Sequence, residues 1–119
     1  PIAAAQTIDQ RAYALINAYA AVVEEATDIV NDPTAPMPFK RALGTAERTA
    51  TPAIETLEIA VAAYVRARAD FESASVGDQM SIQRTATALA IAARRLNEAV
   101  TAAQAPIAEL EALIRAQRG

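Results

Sequence analysis

From Ile82 to Ile114 the apolar residues recur in alternating steps of four and three: Ile82, Ala86, Leu89, Ala93, Leu96, Val100, Ala103, Ile107, Leu110 and Ile114. A heptad pattern of this length commits a chain to an α-helix that buries one stripe against other helices. The phase survives Pro106, whose ring clashes with the carbonyl of Ala102 and which has no N–H to donate. The pattern therefore predicts one long helix over residues 79–117, kinked at Pro106 and not broken there.

Two earlier segments carry matching stripes. Thr7-Ile8-Asp9-Gln10 reads as a capping box, with Asp9 in the first turn where a negative charge suits the helix dipole. A first helix over residues 5–31 then presents Ile8, Ala12, Leu15, Tyr19, Val22, Ala26 and Ile29. A second stripe of Tyr13, Ile16, Ala20, Val23 and Val30 beside it widens the face to meet two neighbours. Asp32 to Pro38 holds three prolines, which make a stiff connector, and Pro38 suits the first turn of the next helix. The second helix, residues 38–73, shows Phe39, Leu43, Ala46, Ala50, Ala53, Leu57, Ala60, Tyr64, Ala67 and Phe71 in phase through Pro52. Ser73 to Asp78 is the second turn, where Gly77 is free to take positive φ and Asp78 to cap the third helix.

Roughly a quarter of the 119 residues are alanine and 4% are aromatic, a composition that favours close helix packing over a sheet. One all-α domain over residues 1–119 follows, an elongated antiparallel up-down-up three-helix bundle kinked at Pro52 and Pro106. The alternative is four or five shorter helices broken at those prolines, since Thr51-Pro52 also reads as an N-cap and N1 pair.

The residue types exclude most chemistry. There is no histidine and no cysteine, so no standard nucleophile–base pair is available, and Lys40 is the only lysine for a serine–lysine dyad. No catalytic, metal-binding or cofactor-binding residues are assigned, and the chain reads as a non-enzyme that needs no cofactor. Glu24, Glu25 and Asp28 form the densest acidic group, but a di-iron site also requires Glu-x-x-His pairs, so a solvated face is expected. Arg94 and Arg95 point about 100° apart on a helix and are expected to pair with Glu98. With Lys40-Arg41 and a net charge of −3, they make no nucleic-acid surface. Arg68 is expected to lay its stem along apolar surface with its head in water, in preference to an ion pair across to another helix. Tyr13, Tyr19 and Tyr64 are expected as core aromatics with rim hydroxyls. No apolar run reaches the roughly 18 residues that span a bilayer.

Two residues break the pattern. Ile59 and Ile91 point almost opposite their own seams, on helix backs rich in alanine. Ile59, Ala62 and Arg66 on one helix, with Ile91, Arg94 and Arg95 on the other, mark the expected interaction face, for a protein partner or for self-association. The leading functional reading is thus a non-enzymatic structural or protein-interaction bundle. A second is a small-molecule or lipid binder with an internal cavity at seam alanines such as Ala50, Ala53, Ala86 and Ala93. A third is a regulatory adaptor or antitoxin-like partner protein.

The Ala-Tyr repeats, the proline-rich first turn and the Leu96-Asn97-Glu98-Ala99-Val100 stretch resemble small alanine-rich helical proteins of high-GC bacteria, some of them envelope lipoproteins or phage- and prophage-associated proteins. That resemblance implies a helical fold and assigns no functional residue. The start Pro1-Ile2-Ala3-Ala4-Ala5 suits a removed initiator methionine or a removed export signal, and a lipoprotein cysteine upstream would not show, so cytoplasm and cell envelope both remain open.

Overall fold

The computed structural model describes residues 7–74 and 77–118. Three helices follow one another: α1 Ile8–Val30, α2 Met37–Glu72 and α3 Gln79–Arg118. They form one up-down-up bundle in which α2 and α3 lie together along most of their length and α1 packs along the pair. The radius of gyration is 18.8 Å, well above the roughly 13.5 Å of a compact domain of this size. The molecule measures 66 × 35 × 18 Å, long because α3 alone has 40 residues.

Each helix end has a local cause. Thr7 accepts from the Gln10 amide while the Gln10 side chain accepts from the Thr7 amide at 3.0 Å, which completes the capping box. The expected start at residue 5 lies outside the described residues. After α1, Asp32 accepts from the amide and hydroxyl of Thr34, at 2.9 and 2.7 Å, and fixes the proline-rich turn. Met37 rather than Pro38 is the first residue of α2, with Pro38 second. Asp78 accepts from the Ser81 amide at 3.1 Å and caps α3 as expected. Gly77 does not take positive φ; the expectation that the second turn uses it in that way is incorrect, since no left-handed residue is needed there.

Both interior prolines lie inside uninterrupted helices. Each removes the donor for the carbonyl four residues earlier, on Arg48 and on Ala102. Arg48, Pro52 and Ala102 are all exposed, so water can serve the released groups and the helices need not break. Beside Pro52, the Thr51 hydroxyl donates to the Glu47 carbonyl at 2.8 Å. Its single proton is thereby used, so the Tyr19 hydroxyl donates to Thr51 across the 2.7 Å between them. This bond ties α1 to α2 at the level of the proline.

The core has two parts. Near the middle, Ala12 of α1 meets Ile54, Leu57 and Val61 of α2 and Leu96, Val100, Ala103 and Ile107 of α3. Towards the first turn, Val22 and Ala26 meet Leu43, Ala46, Leu110 and Ile114. Tyr19 packs against both. Three stripe assignments need correction. In α2, Ile54 and Val61 are buried where the heptad reading has Ala53 and Ala60, and Phe71 is exposed. In α1, the second stripe is largely outside: Tyr13, Ala20 and Val30 are exposed, because α1 needs only one face to sit on the α2–α3 pair. In α3 the seam is fully buried from Leu96 onward, whereas Ile82, Ala86, Leu89 and Ala93 are half-buried.

Candidate interaction groove

Two features rise above ordinary packing. The first is polar. Asp9, 8% exposed, accepts from Arg68 Nη1 at 3.1 Å across the α1–α2 boundary. The Arg68 guanidinium lies 5.4 Å from the Tyr64 ring centroid and its Nε is 3.9 Å from Glu72. The ion pair, and not snorkelling, is therefore the role of Arg68. The Asp9 carboxylate is largely withdrawn from solvent, and a planar guanidinium over an aromatic face supplies it with a charged partner. The hydrogen bond from the Thr7 hydroxyl, aided by Arg68, holds the Asp9 carboxyl below its ordinary pKa against the burial that would raise it. Both Asp9 carboxylate oxygens are engaged, one by the Thr7 hydroxyl and one by Arg68, and the second of these bonds holds α1 to α2.

The second feature is apolar. On the side of the α2–α3 pair turned away from α1, an open groove of about 790 Å³ runs between the two helices, and no α1 residue lines it. Its floor is alanine: Ala60, Ala63 and Ala67 of α2, Ala88, Ala92, Ala99 and Ala102 of α3. Alanine brings the two backbones close and has no side chain with which to fill the concavity it leaves. Ile59 and Ile91 form its walls, 72% and 38% exposed. Arg95 and Glu98 stand at its rim.

Of the six residues read from the sequence as an interaction face, Ile59, Ile91 and Arg95 line this groove together. Ala62, Arg66 and Arg94 do not line it; they are exposed on its outer shoulders, Arg66 two turns beyond Ile59 and Arg94 one turn beyond Ile91. The expected local pairing of Arg94 and Arg95 with Glu98 does not form: neither arginine makes an ion pair with Glu98, whereas Arg68 makes two with other residues. Glu98, Ala63 and the alanine floor of α3 are groove residues that the sequence reading did not single out, though it did identify the alanine-rich backs.

The remaining candidates are plain. Glu24 and Asp28 are exposed, and among the described residues no group of three acidic side chains is gathered to hold a metal ion. Ala50, Ala53, Ala86 and Ala93 do not line the α2–α3 groove; Ala50 is buried and the other three are half-buried. No helix among the described residues is long and apolar enough to cross a membrane. Comparison with protein-family models, with curated proteins and with solved structures finds no match to this chain.

Proposed function

We propose that this chain is a non-enzymatic protein-interaction module that receives an apolar helical surface in the groove between α2 and α3. The observation that supports this reading is Ile59. A large aliphatic side chain left 72% exposed, beside an alanine-lined concavity, is the kind of surface that helix-in-groove recognition uses. The groove is open along its length and offers no convergent set of polar groups, which supports a helical protein surface over a small molecule or lipid. A dedicated adaptor or antitoxin-like role would use this same surface.

The test is residue-specific photo-crosslinking in cells. A photo-reactive amino acid in place of Ala63 is expected to give protein adducts, of this chain or another. The same group in place of Ala20, exposed on the outer face of α1, is expected to give few. Equal adduct patterns from the two positions would remove the support for this reading.

A further inference from the structure

We infer that the hollow beside the α1–α2 turn, floored by Gly44 and ringed by Lys40, Arg41 and Arg48, binds the phosphate group of an organic phosphate whose apolar part lies against Val30 and Met37. None of the lining residues is shared with the α2–α3 groove, and the site is independent of the interaction reading above.

Gly44 marks the site. It lies in the interior of α2 with φ in the ordinary negative range. Glycine at such a position costs helix stability relative to alanine. Nothing inside the molecule asks for it: a Cβ added at Gly44 would meet no atom within 4 Å. Neither backbone conformation nor internal packing accounts for the missing side chain. Close approach of a ligand to the backbone does.

The surroundings of Gly44 say what would approach. The hollow is open, about 600 Å³ in volume, and its other lining residues are Val30, Met37, Lys40, Arg41, Thr45 and Arg48. Three positive charges thus meet in one place on a chain whose net charge is −3. Asp28, Asp32 and Glu47 are near in sequence, yet no carboxylate lines the hollow. Asp32 answers in part for Lys40, since its carboxyl is held below its ordinary pKa by the Thr34 amide and hydroxyl and, less strongly, by the charge of Lys40. Neither Arg41 nor Arg48 makes an ion pair among the described residues. Arg48 is steadied instead by Thr45, whose hydroxyl oxygen accepts from Arg48 Nη2 at 3.3 Å. That contact uses one of the five N–H donors of the guanidinium.

This donor set selects the ligand. A guanidinium offers a planar fork of N–H groups that matches two phosphate oxygens, and a lysine adds a point charge. A phosphate monoester carries about −1.5 to −2 at neutral pH, which balances two unpaired arginines; a single carboxylate would leave one of them uncompensated. Val30 and Met37, 44% and 56% exposed, stand beside the charges as an apolar wall, which a bare inorganic ion would not cover. The same phosphate group is carried by small soluble esters and by the headgroup of phosphatidic acid.

Isothermal titration calorimetry with naphthyl phosphate, and with inorganic phosphate as the probe that lacks an apolar part, tests the soluble source. Flotation with phosphatidylcholine vesicles carrying phosphatidic acid or, at equal surface charge, phosphatidylglycerol tests the lipid source. The ester is expected to bind with a Kd below about 1 mM, at least about threefold tighter than inorganic phosphate, and more weakly as salt rises. Arg41→Ala and Arg48→Ala are each expected to weaken binding by about fivefold or more. Gly44→Ala is expected to raise the Tm of the unliganded chain by about 2–4 °C and yet to weaken binding by about threefold or more, a pair of effects that a purely structural role would not produce. Binding of the ester alone assigns the site to a soluble phosphate, and selective flotation with phosphatidic acid alone assigns it to a lipid; either upholds the inference, and the variants are then read on the probe that binds. No binding by either source, equal binding of inorganic phosphate and the ester, or equal flotation with both anionic lipids would overturn it. So would arginine variants that bind like the parent, or a Gly44→Ala chain that gains stability and loses no affinity.

Discussion

Leu57 and Ile59 sit two residues apart on one helix and are nearly equal in hydrophobicity, yet the fold puts them in opposite situations. Leu57 is fully buried where all three helices meet; Ile59 is 72% exposed. Truncating a buried leucine to alanine removes its transfer free energy and leaves a cavity, for a cost of about 2.7–5 kcal/mol. Three of the residues that share this cluster are Ala12, Ala99 and Ala103, which have no side-chain length with which to collapse into the space, so the upper part of that range applies. Leu57→Ala is expected to cost about 4 kcal/mol, with the small gain in helix propensity already offset. For 119 residues this lowers Tm by about 16 °C, at roughly 2.1 cal/mol/K of unfolding entropy per residue. Ile59→Ala is expected to change stability by less than about 0.5 kcal/mol. Circular dichroism at 222 nm, followed through thermal and urea unfolding, reads both. A loss under about 1.5 kcal/mol at Leu57, or a greater loss at Ile59 than at Leu57, would mean that α2 is turned differently and that the groove is not on the surface.

Replacing Pro52 with alanine restores the missing donor at an exposed site and is expected to stabilise the chain by about 1–2 kcal/mol, less than the full proline penalty because water can reach this exposed stretch of α2; urea unfolding with an unchanged or lower midpoint would show that α2 is not continuous there. Tyr19→Phe deletes the bond to Thr51 and is expected to cost about 1 kcal/mol, while a Tyr19→Phe/Thr51→Val pair should cost less than the two singles summed. Asp9 has its carboxyl pKa depressed in the folded state, so the stability it contributes is fully present above the unfolded value near 4 and is lost as pH falls through the lower folded value. Acid titration of the thermal midpoint should therefore fall less steeply below pH 4 in Asp9→Asn than in the parent, and parallel curves would remove Asp9 from the account.

The sequence carries the number of helices, their order and both interior prolines, because a heptad pattern tolerates the loss of a few hydrogen bonds but not of phase. It does not carry the exact face. An α-helix of 3.6 residues per turn drifts about 20° per heptad from a strict 3.5 repeat. Between Leu43 and Val61 that drift amounts to about 50°, half the step between neighbouring residues. Ile54 and Val61 thereby replace Ala53 and Ala60 at the centre of the core, and the larger side chains lie where the straight helix points. An ion pair of Arg68 across to another helix is the less favoured alternative in the sequence, and its partner Asp9 is not legible there, for a different reason. The members of the pair are 59 positions apart, and a first-turn aspartate already has a sufficient local explanation in the helix dipole. The interaction face was half legible: isoleucines opposite their own seams could be seen in a helical projection, but which shoulders rise above the groove depends on how α2 and α3 approach each other.

The alanine composition explains why such a groove can persist on a monomer. An exposed alanine leaves one methyl group in water, about 0.8 kcal/mol for a group of that size, and a row of them adds little aggregation hazard. The same row lets α2 and α3 approach closely on both of their shared sides. On one side α1 fills the resulting valley and supplies Ala12, Val22 and Ala26 to the buried clusters. On the other side no α1 residue lines the groove, and most of the residues there are again alanine, with Ile59 and Ile91 as the two large apolar ones. Had the back of the pair been shaped only to face water, any polar side chain at positions 59 and 91 would have served the helices equally well, since neither position touches α1. Isoleucine is β-branched, is a poorer helix former than the alanines around it, and gains nothing from solvent. Its presence at both walls of this alanine-floored valley is the feature on which the proposed interaction reading rests.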